Sequence, residues 1–518
     1  MIEFVPSWYT DANSWDSKRQ SWYREQQIRA DDTLSRLRIF RQAGENVGLT
    51  NLAFTPGMRR LLLSEGLPET RIWSAFDDMQ GISLTECANI SFRDLNWPKG
   101  IEWVYSPFLL WGYLGEELAV RIEFGQDGEM IETDLYENGQ VALHYEWDDR
   151  GFVSRVTCHR EGKAQYRDYL DPAGIIQFRE DLHDGQVGVS SIATHRFHHA
   201  RYASIGDMVA EVLEKRMSRF GNEDIIIVSS NRRHNELFLK GKRNNKVLLS
   251  FTGKELDPDD PQMRRCLQRA DGICCDSQWN TERLLRSCPE LSKKLLTEPP
   301  VDARLELGIS SERKEEFLFL PTDGVPDAIL ARCLDLMETV LEKNENAVVV
   351  IAASSYRRSP KQTEAQLRER VSRLSSIRLP AEAEDLGENR VLAENEDEEP
   401  PRTVLATFAD TAELETLLKD ARLLLELAAE PSERLQIMGI GMGIPQILVS
   451  ASRYVDHLQD GYVVNSLDEL PEAIAYYLDD LNHWNEAVLC CAQKVDRYSG
   501  ENIVRRLKQL AGGMENDQ

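Results

Sequence analysis

The stretch Ile225-Ile-Ile-Val228 is an uninterrupted apolar run. Two further short, mainly apolar runs follow at Lys246-Val-Leu-Leu-Ser-Phe251 and Gly272-Ile-Cys-Cys275. Short apolar runs of this kind are typical of strands that are buried on both faces, as in a parallel sheet. Charged stretches with a helical pattern separate the runs, and a further helix is predicted from about Thr281. This alternation predicts an α/β lobe with helices covering a parallel sheet.

A second series of the same kind begins after Pro299-Pro300, where the proline pair breaks the first. Phe317-Leu-Phe-Leu320 predicts its first strand, and residues 328–341 predict an amphipathic helix. Later strands are predicted at Ala347-Val-Val-Val-Ile-Ala352, Val404-Leu-Ala-Thr-Phe408, Leu423-Leu-Leu-Glu-Leu427 and Gln446-Ile-Leu-Val449. Two α/β lobes with a cleft between them are therefore expected.

Glycines recur at a spacing of 11 or 12 residues between about Ala119 and Gly188. Most follow a polar or turn-forming residue, and the segments between them alternate apolar and polar residues. Asn-Gly and Asp-Gly supply the positive φ angles of tight hairpins, so the period predicts an antiparallel β-meander of about six strands. The glycines of this period are Gly128, Gly139, Gly151, Gly162, Gly174 and Gly185.

The predicted fold class is α/β, with two Rossmann-like lobes and an inserted antiparallel β-meander domain. The N-terminal lobe is expected to comprise residues 1–118, whose aromatic-rich pattern indicates helices, together with 190–300. The inserted sheet is expected at 119–189, the C-terminal lobe at 301–495, and a final helix and tail at 496–518.

Composition limits the function. At about 150 residues per domain, 518 residues predict roughly three domains. The formal net charge of −26 disfavours nucleic acid and anionic lipid, which need clustered cations. The sequence predicts neither a membrane-spanning helix nor a signal peptide. Its nine scattered cysteines fit reduced thiols in a cytoplasmic protein rather than a metal site.

Residues 382–399 contain nine acidic residues and one arginine. This composition predicts a solvated loop within the C-terminal lobe, either as a solubilising surface loop or as a docking segment.

The segment from Leu427 to Ser450 resembles the donor-sugar motif of retaining GT-B glycosyltransferases, which place ligands at strand ends near helix N-termini. By this resemblance Glu430 occupies the position of the first glutamate of the motif. Met438 occupies the position of the second, which holds the nucleotide ribose in that family. A thioether cannot accept two ribose hydroxyl hydrogen bonds, so the donor site is degenerate. Glu430 could equally be a charge at a helix N-terminus.

The turn after the first strand of the C-terminal lobe departs from the same pattern. The family places Arg and Lys there to bind the diphosphate, whereas this chain has Thr322 and Asp323 and no cation in the turn. The carboxylate of Asp323 would repel a diphosphate.

One turn of the meander is a candidate binding surface for a partner or a glycan. It contains Trp147, Asp149, Arg150 and Phe152. An exposed aromatic ring beside an arginine can stack on a sugar ring, although packing around a charged hairpin explains the same residues.

Taken together, the chain resembles the first family of accessory secretory proteins in the accessory Sec system of Gram-positive bacteria. The resemblance runs nearly end to end, but the region from about 190 to 440 matches in pattern only. The matching segments include Phe4-Val-Pro-Ser-Trp-Tyr9, Asp31-Asp-Thr-Leu-Ser-Arg-Leu-Arg-Ile-Phe40, Thr55-Pro-Gly-Met-Arg59, Phe76-Asp-Asp-Met-Gln80, Asp148-Asp-Arg-Gly-Phe-Val-Ser154 and Gly443-Ile-Pro-Gln-Ile447.

The resemblance implies a GT-B-like subunit without catalytic residues, cofactor or metal. It implies a cytoplasmic protein with at most peripheral contact with the inner face of the cell membrane. The implied partners are the second and third accessory secretory proteins, the accessory SecA-type ATPase and a glycosylated serine-rich repeat adhesin. Two alternatives stay open: an active retaining glycosyltransferase that modifies serine-rich repeats, and a carbohydrate-binding module that uses the inserted sheet.

Overall fold

The structure is a computed structural model, and it divides into two compact units: Met1–Pro300 with Arg506–Gln518, and Val301–Arg505. It describes residues 1–10, 14–17, 32–106, 109–125, 127–241, 243–252, 257–276, 278–299, 303, 307–355, 359–380, 402–409, 411–428, 431–452 and 454–512.

Strands are numbered here in chain order. Within the described residues they are β1 (Ile2–Val5), β2 (Val47–Asn51), β3 (Arg71–Ser74), β4 (Glu102–Tyr105), β5 (Leu109–Leu114), β6 (Glu117–Phe124), β7 (Met130–Glu137), β8 (Gln140–Asp148), β9 (Phe152–Arg160), β10 (Lys163–Leu170), β11 (Ile176–Asp181), β12 (Val187–Val189), β13 (Arg201–Tyr202), β14 (Ile225–Ser229), β15 (Lys246–Phe251), β16 (Gly272–Cys275), β17 (Leu295–Thr297), β18 (Glu316–Pro321), β19 (Ala347–Ser354), β20 (Thr403–Phe408), β21 (Ala421–Glu426), β22 (Gln446–Leu448) and β23 (Gly461–Val463).

The α-helices are numbered in the same way. Within the described residues they are α1 (Asp32–Gln42), α2 (Met58–Ser64), α3 (Ala75–Gln80), α4 (Ile205–Met217), α5 (Asn235–Leu239), α6 (Pro261–Arg269), α7 (Gln278–Ser287), α8 (Asp327–Lys343), α9 (Pro360–Leu374), α10 (Thr411–Leu418), α11 (Glu433–Gly441), α12 (Leu470–Leu478), α13 (Leu481–Arg497) and α14 (Gly500–Gly512).

The first unit contains a seven-stranded parallel sheet in the order β17-β16-β15-β14-β1-β2-β3. The three apolar runs between Ile225 and Cys275 form β14, β15 and β16, as predicted. Strand β1, which lies between β14 and β2, is buried along its whole length, because apolar core lies on both faces of the sheet. Helix α4 contributes Met208, Val209 and Val212 to that core.

The first unit also contains a ten-stranded antiparallel sheet that runs in strict chain order from β4 to β13. All six glycines of the period adopt positive φ, between 71° and 83°. Asn138 and Glu161, which precede two of these glycines, also have positive φ. The turns at Asn138-Gly139 and Glu161-Gly162 are thus two-residue hairpins with both central residues left-handed, which confirms the reasoning from sequence.

The sheet is wider than the predicted six strands. Strands β4 and β5 lie in the aromatic-rich stretch that indicated helices, and β12 and β13 extend the other edge. Trp103 pairs with Gly112 across β4 and β5. The glycine lets the indole ring lie across the neighbouring strand, since a Cβ there would come within 2.9 Å of the ring. Aromatic residues favour strands where such pairing buries them, and this outweighs their helix-like spacing here.

The two faces of this sheet differ in character. One face packs Leu110, Val120 and Ile122 against Phe92 and Trp147 in an apolar cluster. The alternate residues of β7, β8 and β9 are polar and line an open groove. The period-two pattern therefore produces one apolar and one polar face, as expected.

The second unit contains a six-stranded parallel sheet in the order β20-β19-β18-β21-β22-β23. Every strand predicted from the second apolar series is present, and α8 corresponds to the helix predicted at 328–341. Strand β21 is buried throughout. The acidic segment 382–399 lies outside the described residues.

Candidate functional site

The strand order of the second sheet identifies the place where a ligand would bind. The chain proceeds from β18 outward to β19 and β20, then returns to the other side of β18 as β21. In open parallel sheets, ligands bind at the carboxyl ends of strands at such a reversal. The residues that follow β18 are Thr322 and Asp323, and Glu426 ends β21. These three residues are the centre of what we call the strand-end site.

Thr322 is bound into the sheet and is almost fully buried. Its hydroxyl donates to the carbonyl oxygen of Ala352 at 3.0 Å, and its backbone N–H donates to the same oxygen at 2.8 Å. The side chain predicted to replace a diphosphate-binding residue therefore ties the turn between β18 and α8 to β19.

Asp323 is exposed as a residue, but its carboxylate Oδ2 accepts a hydrogen bond from the backbone N–H of Ser354 at 2.9 Å. Desolvation by the surrounding protein raises the pKa of this carboxyl group, and the Ser354 bond and the charge of Arg370 only partly offset it. In its ionised form, a carboxylate at this turn repels a diphosphate.

One cation does reach this turn, and sequence reasoning missed it because it lies far along the chain in α9. The guanidinium of Arg370 donates to the carbonyl oxygens of Thr322 at 3.2 Å and Val325 at 2.5 Å, and to Asp327 Oδ1 at 2.8 Å. These bonds fix the conformation of the turn. Arg370 therefore braces the backbone, and its charge is shared with Asp327.

Glu426 is a second residue that sequence reasoning missed. It ends the apolar strand β21 and is 3% exposed. The backbone N–H of Ser432 donates to its Oε2 at 3.4 Å. Burial raises the pKa of this carboxyl group to about 7, and the Ser432 bond offsets that only in part. A carboxylate at the end of an otherwise apolar run was the signal that could have found it.

The helix of the donor-like motif forms as predicted, but its key position is apolar. Ser432 caps α11 by accepting a hydrogen bond from the N–H of Leu435, and Gly443 follows the helix with a φ of +69°. Met438 packs against the apolar cluster that contains Phe319 and Leu424. The thioether is thus partly buried against the core of the lobe. Glu430 lies outside the described residues.

The second candidate surface was based on a wrong premise, since its residues are buried. Trp147 is 9% exposed, and its indole Nε1 donates to the hydroxyl of Thr133 at 3.0 Å. Phe152 is buried as well. Glycan stacking on these rings would need an exposed face, which the packing of this turn against α2 and α3 removes.

Asp149 and Arg150 hold the same turn in place. Asp149 Oδ2 accepts the backbone N–H groups of Arg59 and Arg60 at 2.7 and 2.9 Å. Burial raises the pKa of Asp149 to about 7, and the nearby charge of Asp148 adds to this. The guanidinium of Arg150 bonds both carboxylate oxygens of Asp148 and both of Asp77. Sequence could not distinguish this buried network from an exposed one.

Metal sites and membrane-spanning helices were sought among the described residues. No group of three or more His, Cys, Asp or Glu side chains among them is arranged to hold a metal ion. Among the described helices, none combines the length and the apolar character that crossing a membrane requires.

The family of the chain follows from comparison with known proteins. The family model for the first accessory secretory protein of the accessory Sec system matches residues 1–512. The chain belongs to this family. Accessory secretory protein 1 of the accessory Sec system from Streptococcus gordonii is a relative that is 28% identical over 515 residues, covering 98% of each chain. The resemblance inferred from sequence is thus confirmed.

Solved structures give the same result. A chain in the crystal structure of accessory secretory proteins 1, 2 and 3 of Streptococcus pneumoniae is 28% identical, with a TM-score of 0.79 and coverage of 99% of each chain. A chain of the glycosylation-associated Gap123 complex of Streptococcus agalactiae is 27% identical, with a TM-score of 0.77 over 98% of this chain and 100% of that one.

Glycosyltransferases share the fold of this family at much lower identity. The pneumococcal O-GlcNAc transferase GtfA, solved with UDP and GlcNAc, is 11% identical, with a TM-score of 0.65 over 99% of this chain and 98% of that one. This confirms the predicted GT-B-type α/β fold with an inserted antiparallel sheet. The chain is a GT-B-like protein of the accessory Sec system.

Proposed function

We propose that this chain is a non-catalytic subunit of the accessory Sec system that acts in the cytoplasm in the export of glycosylated serine-rich repeat adhesins. Membership of the first accessory secretory protein family supports a role in accessory secretion. One relative was solved together with accessory secretory proteins 2 and 3, which supports assembly with those two proteins here. We extend the proposed partners to the SecA-type ATPase and the adhesin client.

The proposal that the subunit is non-catalytic rests on one observation, which is that the charged side chains at the strand-end site are acidic. The two acidic side chains at these strand ends are Asp323 and Glu426. A diphosphate needs cations or free N–H groups at these strand ends. Here Arg370 is held by two carbonyl oxygens and Asp327, and the ribose-binding position is Met438. These features support loss of donor binding.

The test is titration calorimetry of the purified chain with UDP-GlcNAc and UDP-glucose, combined with detection of released UDP. The proposal expects no saturable heat and no UDP release, while the chain co-purifies with the second and third accessory proteins. An active glycosyltransferase of the same fold serves as the positive control. Turnover of either sugar nucleotide at an enzymatic rate would overturn the proposal.

An active retaining glycosyltransferase is the second candidate, and the glycosyltransferase-like fold is the observation that favours it. This alternative predicts measurable UDP-sugar affinity that is lost in Glu430→Ala. Glu472→Ala is a matched control, because Glu472 is exposed on α12 of the same unit.

A further inference from the structure

The ten-stranded sheet ends at β4, which is an open edge. Among the described strands, β4 pairs with β5 alone, and the register between them is regular from Glu102 to Tyr105. Proteins usually protect such an edge with lysine, proline, a bulge or a very short strand, because its free backbone groups can pair with another strand. The opposite edge strand, β13, has only two residues, whereas β4 has four and contains neither lysine nor proline.

The hairpin that joins β4 to β5 shows which backbone groups of β4 face outward. The N–H of Ser106 donates to the carbonyl oxygen of Leu109 at 2.9 Å, so these two residues form a hydrogen-bonded pair. Bonded and non-bonded pairs alternate along an antiparallel ladder, which places Val104 in a bonded pair with β5. The N–H and C=O groups of Trp103 and Tyr105 therefore point away from the sheet, and no described residue is bonded to them.

The open section of this edge is short and accessible. At its start, the N–H of Ile101 donates to the carbonyl oxygen of Pro98 at 3.4 Å, so the chain closes that end itself. Beyond it, Val104 is 51% exposed and Tyr105 is 61% exposed, and alternation places their side chains on opposite faces. The section that can accept another strand thus runs from Trp103 to Tyr105. We call it the β4 edge.

A cavity lies beside the β4 edge on the apolar face of the sheet. Its volume is about 450 Å³, and Phe92, Tyr105, Leu110 and Phe124 are among the residues that line it. The rings of Tyr105 and Phe92 pack edge-on with centroids 6.3 Å apart, so Tyr105 connects the edge to the cavity wall. Opposite residues of a ladder share a face, so an added strand would place its residue opposite Tyr105 on the cavity side. A long or aromatic side chain at that position can reach the cavity.

The charge around the β4 edge is negative. Residues 98–118 contain one lysine and three glutamates, which are Glu102, Glu116 and Glu117. All three glutamates are exposed, and none of them forms an ion pair within the part of the chain that the structure describes. Such an edge is complementary to a cationic segment. A second copy of this chain is a poor partner, because each copy has a formal net charge of −26.

We propose that the β4 edge binds an extended peptide segment of another protein as an additional strand of the sheet. Main-chain hydrogen bonds to Trp103 and Tyr105 hold the segment, and its side chains at alternate positions determine which segment fits. The fitting segment has a large apolar or aromatic residue opposite Tyr105 and a lysine or arginine opposite Glu102. This inference goes beyond the proposed function and does not depend on it, since it rests on the open edge, the cavity and the local charge.

The first measurement uses a fluorescent peptide with a central phenylalanine, flanking valine and threonine residues and a lysine at each end. Its fluorescence anisotropy should show saturable binding to the full chain. Tyr105→Pro removes an outward N–H and leaves the bonds between β4 and β5 in place, so the affinity should fall at least about tenfold. Tyr105→Phe is the matched control, because it keeps both the N–H and the ring, and it should change the affinity by less than about twofold.

The second measurement needs no substitution in the chain and therefore does not depend on the folding of a variant. Amide hydrogen exchange is followed at single-residue resolution with and without the peptide. The amides of Trp103 and Tyr105 should exchange rapidly in the free chain and at least about tenfold more slowly in the presence of saturating peptide. The amide of Val104 is the internal reference, because its bond to β5 protects it in both states.

A second peptide, with glutamate in place of both lysines, tests the charge and should bind at least about threefold more weakly. Saturable binding of the lysine peptide, with slowed exchange at Trp103 and Tyr105, supports the proposal. Absence of saturable binding, unchanged affinity in Tyr105→Pro, or equal affinity for the two peptides overturns it. Slowed exchange at Trp103 and Tyr105 that increases with the concentration of the chain alone would assign the β4 edge to a second copy, and this result also overturns the proposal.

Discussion

The guanidinium group of Arg150 donates to both carboxylate oxygens of Asp77, with Nη1 to Oδ2 and Nη2 to Oδ1 each at 2.8 Å. Arg150 lies in the turn between β8 and β9, and Asp77 lies in α3, so the pair ties the inserted sheet to the rest of the first unit. Burial by itself would lower the pKa of Arg150, but the carboxylates of Asp148 and Asp77 outweigh it and raise that pKa.

Replacing this arginine should destabilise the first unit. Arg150→Ala leaves two carboxylates without their counter-ion, one of them nearly fully buried, and we expect a loss of about 3 kcal/mol in the free energy of unfolding. Thermal unfolding followed by circular dichroism measures the effect as a lower midpoint. Arg160→Ala on β9 is the control, because Arg160 is exposed, and it should shift the free energy by less than about 0.5 kcal/mol. Equal midpoints for the two variants would contradict this account.

Two turn glycines should differ in their tolerance of a side chain. Gly151 and Gly174 have φ of +83° and +78°, so alanine at either costs about 1 kcal/mol of backbone strain. A Cβ on Gly151 would also lie 3.1 Å from both the Cβ and the carbonyl oxygen of Ala88, whereas none of the described atoms lies within 4 Å of a Cβ on Gly174. Gly151→Ala should therefore lower the unfolding midpoint more than Gly174→Ala. A larger drop in the midpoint for Gly174→Ala would show that the segment around Ala88 moves freely to accommodate the added methyl group.

Glu426 should make stability depend on pH. Its folded-state pKa of about 7 lies above the value of about 4.3 for an unfolded chain, so the folded protein holds this proton more tightly. The resulting stabilisation is complete below about pH 4 and is lost as pH rises through 7, a change on the order of 3 kcal/mol. Glu426→Gln cannot ionise, so it should be more stable than the parent by roughly 3 kcal/mol at pH 8 and by only about 1 kcal/mol at pH 5. Denaturant unfolding at both pH values measures this.

The control for that experiment is Glu472→Gln, which changes an exposed glutamate on α12. It should leave the difference between pH 5 and pH 8 unchanged. A Glu426→Gln variant that is destabilised at pH 8 would indicate that the ionised carboxylate is a stabilising group in the fold.

Restoring the missing glutamate of the donor-like motif should not restore a donor site. Met438 packs against Leu435, Met442 and their apolar neighbours, so Met438→Glu places a carboxylate against the core. We expect a loss on the order of 2 kcal/mol in the free energy of unfolding and no gain of UDP-GlcNAc binding. Met438→Leu preserves volume and should cost about 1 kcal/mol or less. Saturable UDP-GlcNAc binding by Met438→Glu would show that the side chain reaches the strand-end site.

The elements that were predicted correctly depend on local patterns. The strands between Ile225 and Cys275 could be predicted because strands that are buried on both faces are apolar throughout. The hairpins could be predicted because glycine readily adopts the positive φ angles of their turns. The strands at Trp103 and Trp111 were missed because aromatic spacing does not by itself separate helix from strand.

The environment of the candidate residues depended on contacts between distant segments. Trp147 follows an irregularity in the β8–β9 register, so alternation along the strand does not tell which side of the sheet it faces. Its turn is covered by residues about 90 positions away, since the N–H of Asp149 donates to the carbonyl oxygen of Pro56. Arg370 reaches the Thr322 turn in the same way, across 48 positions of sequence. No local pattern carries that information.

The inserted sheet leaves the parallel-sheet part of its unit after α3 and rejoins it before α4, and these two helices pack against each other. Its entry and exit therefore share one anchorage. Strands β10, β11 and β12 contribute Tyr169, Phe178 and Val187 to the same core as the parallel strands, so loss of any of these three strands would open that core. A hairpin added beside β4, at the opposite edge, would leave that core covered, so the sheet can widen there without cost to the lobe that supports it.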